Sequence, residues 1–110
     1  MEIKFRAWNK NLNRSGGMIW NVAVLNGKYF DPYEMETQEY PIMQYTGLKD
    51  LKGVEIYKGD IVEFARGRHQ VSFLDGSFVL YDRNQWHIPF YTIHGGIEVI
   101  GNIYENPELI

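Results

Sequence analysis

A small, mainly β fold is what this sequence predicts: an all-β chain of N-terminal hairpins packed on a C-terminal antiparallel barrel of the SH3-like type. Three observations predict it. Asn26-Gly27 and Asp75-Gly76 each sit between short runs of β-type residues, the strongest two-residue hairpin signal a sequence offers. From Glu55 onward, strand-like runs and turn residues alternate about every ten residues, the rhythm of small sandwiches and barrels. Aromatic side chains make up 15% of the chain, mostly eight Tyr and six Phe, and rings of this kind favour pleated, half-buried surfaces.

Taken in order, Glu2 to Trp8 alternates, with Ile3, Phe5 and Ala7 facing one way and Glu2, Lys4 and Arg6 the other, so it reads as a half-buried strand. Asn9 to Gly17 is dense in Asn and Gly and reads as a turn, after which Met18-Ile19-Trp20 returns as a second strand. Val22 to Leu25 and Lys28 to Phe30 form a hairpin through Asn26-Gly27. Asp31 to Glu39 opens with Asp-Pro and has little apolar periodicity, which fits a loop or one helical turn. Pro41 to Tyr45 is extended, with Met43 and Tyr45 on one face, and Thr46-Gly47 ends it. Leu48 to Val54 is a surface connection.

Five strands follow: Ile61 to Ala65, His69 to Leu74, Ser77 to Tyr81, Trp86 to Ile93 and Ile97 to Tyr104. Arg66-Gly67, Asp75-Gly76, Asp82 to Gln85 and Gly95-Gly96 separate them. Pro89 places the fourth strand at an edge or a bulge. Asn106-Pro107 ends the last strand and leaves a tail expected to fray. One domain over 1–110 is expected, with a hairpin region at 1–52, a barrel-like region at 53–104 and the tail at 105–110.

Composition closes several function classes. A chain of 110 residues supports one core and buries roughly two-thirds of the surface its unfolded form exposes. With 45% apolar and 23% charged residues it lies in the globular range. There is no cysteine, hence no disulfide framework, thiolate metal site or cysteine nucleophile. The opening residues lack an apolar stretch of signal-peptide type, and no run approaches the length of a membrane span. A cytoplasmic protein without a membrane partner is the expectation. The formal net charge of −3 argues against broad attraction to nucleic acid.

No residue set assembles a catalytic or metal centre by spacing, and no cofactor is expected. Gly59 and Asp60 precede a strand, where glycine supplies a backbone angle that other residues resist and the Asp carboxylate accepts a backbone N–H; Asp75 and Gly76 do the same work in their turn. His69, His87 and His94 form no close pair of metal-ligand type. His87 fits a solvent-facing cross-strand position. No Ser lies in a nucleophile elbow, and no Gly-rich stretch opens a helix with Lys-Ser or Lys-Thr.

Lys58, Arg66, Arg68 and His69, with Tyr57, Phe64 and Phe73 nearby, are the compact basic cluster with interleaved aromatics that a single-strand nucleic-acid binder uses. Glu55, Asp60 and Glu63 in the same segment favour a solvated hairpin tip instead. Trp8, Tyr45 and Tyr57 are the candidate partner-binding rings.

These segments resemble the YopX family, small proteins encoded by temperate bacteriophages and prophages. The resemblance lies in Glu-Ile-Lys-Phe-Arg-Ala-Trp at Glu2 to Trp8, Met18-Ile19, Met-Gln-Tyr-Thr-Gly-Leu-Lys-Asp at Met43 to Asp50, Gly-Val-Glu-Ile-Tyr-Lys-Gly-Asp-Ile-Val at Gly53 to Val62, and Glu-Val-Ile-Gly-Asn-Ile-Tyr-Glu-Asn-Pro-Glu-Leu at Glu98 to Leu109. Asn9 stands where an acidic residue is commoner, and the connection from Asp31 to Glu39 is individual. The resemblance implies a phage origin, residence in the host bacterial cytoplasm and a mainly β architecture, and carries no catalytic residues with it.

Three readings follow. The first is a non-enzymatic accessory protein that self-associates as a homo-oligomer and binds a host or phage protein. The second is a weak single-stranded nucleic-acid binder through the Arg66-Gly67-Arg68 hairpin. The third is a small hydrolase using Asp60 or Asp82 with a histidine.

Overall fold

The computed structural model describes residues 2–12, 15–82, 87–93 and 95–110, whose regular elements are strands and two 3-10 turns. Trp86, His94 and residues 83–85 of the turn expected at Asp82 to Gln85 lie outside them. The protein is all-β, built of curled antiparallel sheets. Two compact units divide the chain at Tyr45 and Thr46, inside a strand rather than at Lys52.

The first unit contains β1 (Phe5–Asn9), β2 (Gly17–Trp20), β3 (Ala23–Leu25), β4 (Lys28–Asp31), β5 (Glu36–Gln38) and the first half of β6 (Ile42–Lys49). β1 is central, with Arg6 opposite Trp20 of β2 on one side and Met43 of β6 on the other. β3, β4 and β5 form a separate three-stranded sheet. Asn26 and Gly27 take φ of 53° and 76°, the double positive φ of a type I′ turn, whose twist matches the flanking strands.

Two expectations change here. Arg6 is buried at 3% exposure, because neighbours on both sides cover it: its Nε donates to Met43 Sδ at 3.4 Å and its guanidinium lies 5.3 Å from the Trp20 ring centre. The loop or one helical turn expected over Asp31 to Glu39 is found in part: Met35 N donates to Asp31 O at 2.8 Å, a single turn that an Asx turn reinforces, and Glu36–Gln38 then forms a strand that was not expected. Asp31 Oδ1 accepts from Tyr33 N at 2.8 Å and Glu34 N at 3.2 Å, which reverses the chain and returns it as β5 along β4.

The second unit contains the rest of β6, β7 (Glu55–Tyr57), β8 (Asp60–Phe64), β9 (Gly67–Leu74), β10 (Ser77–Tyr81), β11 (His87–Pro89) and β12 (Glu98–Asn102). β6 runs through Thr46-Gly47 instead of stopping there. Gly47 absorbs the irregularity at φ 86°, and the Thr46 hydroxyl donates to Ile56 O at 2.7 Å while accepting from Leu48 N at 3.2 Å.

The five-stranded sheet has the order β11-β10-β9-β8-β12, an arrangement compatible with the small barrel expected. Its core is Ile56, Val62, Val71, Leu80, Phe90 and Ile97, with Phe64, Phe78, Ile88, Ile93 and Val99 packed against it. Each such aliphatic or Phe side chain contributes about 1.5–3 kcal/mol when fully buried.

Local chemistry sets the boundaries of these strands. The β8–β9 turn is Ala65-Arg66, at φ 51° and 62°, one residue earlier than Arg66-Gly67, and Phe64 pairs with Gly67. Asp75-Gly76 turns as expected, at φ 52° and 80°. The fourth strand stops at Pro89, where a 3-10 turn over Phe90–Thr92 begins, and Thr92 Oγ1 donates to Pro89 O at 2.7 Å.

β12 ends at Asn102, whose Oδ1 accepts from Tyr104 N and Glu105 N at 3.0 and 2.9 Å. The tail does not fray: Asn106 N donates to Asn102 O at 2.9 Å and Pro107–Leu109 forms a 3-10 turn.

Candidate functional site

The loop from β6 to β7 is pinned by one carboxylate. Asp50 is 8% exposed; its Oδ1 accepts from Lys52 N at 2.8 Å and Val54 N at 2.9 Å, and its Oδ2 accepts from Val99 N at 2.9 Å. Burial by itself raises a carboxyl pKa, but the three backbone N–H groups, with help from the Lys52 charge, outweigh it and hold Asp50 below its ordinary value. Leu51 N donates to Ile97 O at 3.2 Å, and Lys52 Nζ lies 2.7 Å from Glu98 Oε1. That ion pair raises the Lys52 pKa. The loop therefore covers the outer edge of β12, satisfying strand groups that would otherwise template pairing with another chain.

The same clamp turns apolar side chains outward. Leu48, Leu51 and Val54 are 49%, 62% and 47% exposed. A hollow of about 170 Å³ opens there, lined by Leu48, Lys49, Asp50, Leu51, Ile93 and Gly95 around Ile56, Phe90 and Ile97 of the core. A second hollow of about 290 Å³ also has Leu51 in its lining, with Glu63, Phe64, Ala65, Arg66, Gly96 and Glu98. Sequence reading treated Leu48 to Val54 as a plain surface connection. Asp50-Leu51-Lys52-Gly53 does carry the signature of an Asx turn, but nothing local announces Val99 as the third donor.

Of the candidate partner rings, Tyr45 and Tyr57 are 4% and 2% exposed and present no docking face. Lys4 Nζ sits 4.9 Å from the Tyr45 ring centre, and Tyr57 N donates to Asp60 Oδ2 at 2.7 Å. Trp8 is half-buried over the β1–β2 hairpin, where a Cβ on Gly16 would come within 2.4 Å of its ring, so only glycine fits beneath it. Exposed large apolar residues of the first unit are instead Ile3, Leu12, Trp20, Leu25, Tyr33 and Met35.

The basic cluster is divided. Lys58, Arg66 and Arg68 are exposed, whereas His69 points inward at 6% exposure, its ring edge-on to Phe64 with centroids 6.1 Å apart. His69 joins the core because it shares a face with Val71. Arg68 lies opposite Glu63 in register, and Glu63 lies opposite Glu98, which pairs with Lys52. Two carboxylates set between Arg68 and Lys52 make this a mixed, solvated face and not a basic groove.

Asp60 is 2% exposed and its carboxylate holds the β7–β8 turn, with Gly59 at φ 91°. Among the described residues, Asp60, Asp82, His69 and His87 line neither hollow. His87 is exposed with its ring 5.0 Å from Tyr81, its cross-strand partner. Among the described residues, no group of three or more His, Asp or Glu side chains is placed to hold a metal ion, and no helix is long and apolar enough to cross a membrane.

Fold and site thus define a class: a small β protein whose buried carboxylates hold turns and whose pinned loop displays leucines. The chain belongs to the YopX family, matching the family described as YopX protein over residues 4–110. It is similar to the crystal structure of protein EF1440 from Enterococcus faecalis, at 31% identity and a TM-score of 0.67, with 99% of this chain and 98% of that chain covered. No curated protein matches it.

Proposed function

We propose that this chain is a non-enzymatic accessory protein of a temperate phage or prophage, a small β interaction module that self-associates in the host cytoplasm and engages a host or phage protein. The observation that carries the reading is the row Leu48, Leu51 and Val54, held outward on a loop that Asp50 clamps. Exposed leucines on an anchored loop gain nothing for folding, whereas apolar surface with a polar rim is what partners bury. The use of Asp50 as a hydrogen-bond acceptor supports the non-enzymatic part, since three backbone donors keep it ionised and its lone pairs occupied. The family resemblance motivates the phage origin.

Light scattering on the purified full chain across a wide concentration range, joined to affinity recovery from an induced lysogen, tests the reading. The expected result is a mass that grows with concentration. A chain that stays monomeric throughout and recovers no protein above background rejects it.

A further inference from the structure

We infer that the partner at the Leu51 surface is a second copy of this chain, related by a two-fold axis, with Leu51 of each copy seated in a hollow of the other; this rests on the self-association reading above. Leu51 is 62% exposed and lines both hollows, so one exposed apolar side chain stands at the margin of two recesses. An isologous contact demands a patch that is its own complement, because one surface must supply both the knob and the hole. A different partner would need only one of the two features. Here the knob stands beside a recess of about 170 Å³ floored by Ile56, Phe90 and Ile97.

Charge points the same way. The 170 Å³ hollow is lined by Lys49 and Asp50, and the neighbouring hollow carries Arg66 together with Glu63 and Glu98. A patch holding both signs can meet its own copy with opposite charges facing, whereas a patch of one sign repels itself. The backbone under the knob is already ordered, since Leu51 N bonds to Ile97 O and the Asp50 carboxylate holds the residues after it. Little conformational freedom remains to be lost on docking. Within the five-stranded sheet, strand-to-strand pairing is the weaker route: β12 is covered by this loop, and β11 is three residues long and ends in Pro89.

Sedimentation equilibrium of the full chain, with Leu51→Asp and Leu51→Ala, tests the inference, and circular dichroism checks that each variant is folded. The expected result is a reversible wild-type dimer whose dissociation constant rises about 30-fold or more in Leu51→Asp. Cross-linking keeps the test open if that variant misfolds, because the natural chain has no cysteine. Leu48→Cys mixed with Leu51→Cys should form mixed disulfide dimers faster than Leu51→Cys mixed with Tyr33→Cys, Tyr33 being 94% exposed on the first unit.

A wild-type dimer indifferent to Leu51, with no cross-linking preference, overturns the inference and leaves self-association through another face standing. A wild-type chain that is monomeric at every concentration overturns both.

Discussion

Asp31 in the first unit and Asp50 in the second begin with the same local device and end with different consequences. In each, one carboxylate oxygen accepts N–H groups from residues two and then three or four places ahead. Asp31 stops there, in an exposed turn. Asp50 is buried, and its second oxygen reaches Val99 across 49 positions of sequence. An Asx turn shapes a loop; the same turn with one long-range acceptor ties a loop to a sheet. Asp60 is the intermediate case, buried like Asp50 but bonded to Tyr57, three residues back.

The comparison can be broken by removing each carboxylate in turn. Asp50→Ala orphans three backbone donors, of which Val99 N belongs to the β12 edge, and should cost about 3 kcal/mol or more in denaturant unfolding. Asp60→Ala orphans a fully buried donor and removes packed volume, for an expected loss of about 2–3 kcal/mol in the same measurement. Should the two losses be equal, burial and not long-range reach would set the effect.

Acid sharpens the contrast further. The Asp50 pKa is lowered on folding, so its contribution is fully present above the ordinary value of 3.8 and is lost as pH falls from there through the folded value. The gap in stability between wild type and Asp50→Asn should be constant above that value and close below it. A gap that does not change with pH below 3.8 would mean that charge has no part in the clamp.

Asp31→Ala, in an exposed turn, should lose only about 0.5–1 kcal/mol in thermal or denaturant unfolding. Smallest of all, Lys52→Ala removes an exposed ion pair to Glu98, and its unfolding midpoint should match that of wild type at high salt. A large loss there would move the latch from the carboxylate to the ion pair.

Much of this architecture is legible residue by residue. The hairpins at Asn26-Gly27 and Asp75-Gly76, the edge position of Pro89 and the placing of Met43 and Tyr45 on one shared face all follow from local turn chemistry and the two-residue period of strands. The β8–β9 turn slipped by one because Gly67 looks like the turn residue, whereas a Cβ there would lie 3.2 Å from the His69 ring, so glycine serves a close approach and not a turn. The site is less legible: Tyr45 and Tyr57, the candidate partner rings, are buried, whereas the apolar surface of the pinned loop is Leu48, Leu51 and Val54.

Alternating side chains and turn dipeptides were enough to specify an all-β chain and its hairpins, because those interactions span only a few residues. Tertiary structure alone decided that Arg6 and His69 lie inside, that Asp50 reaches Val99, and that Leu51 stands at the margin of two hollows. Each of these depends on which face a distant segment covers, and no short stretch of chain carries that information.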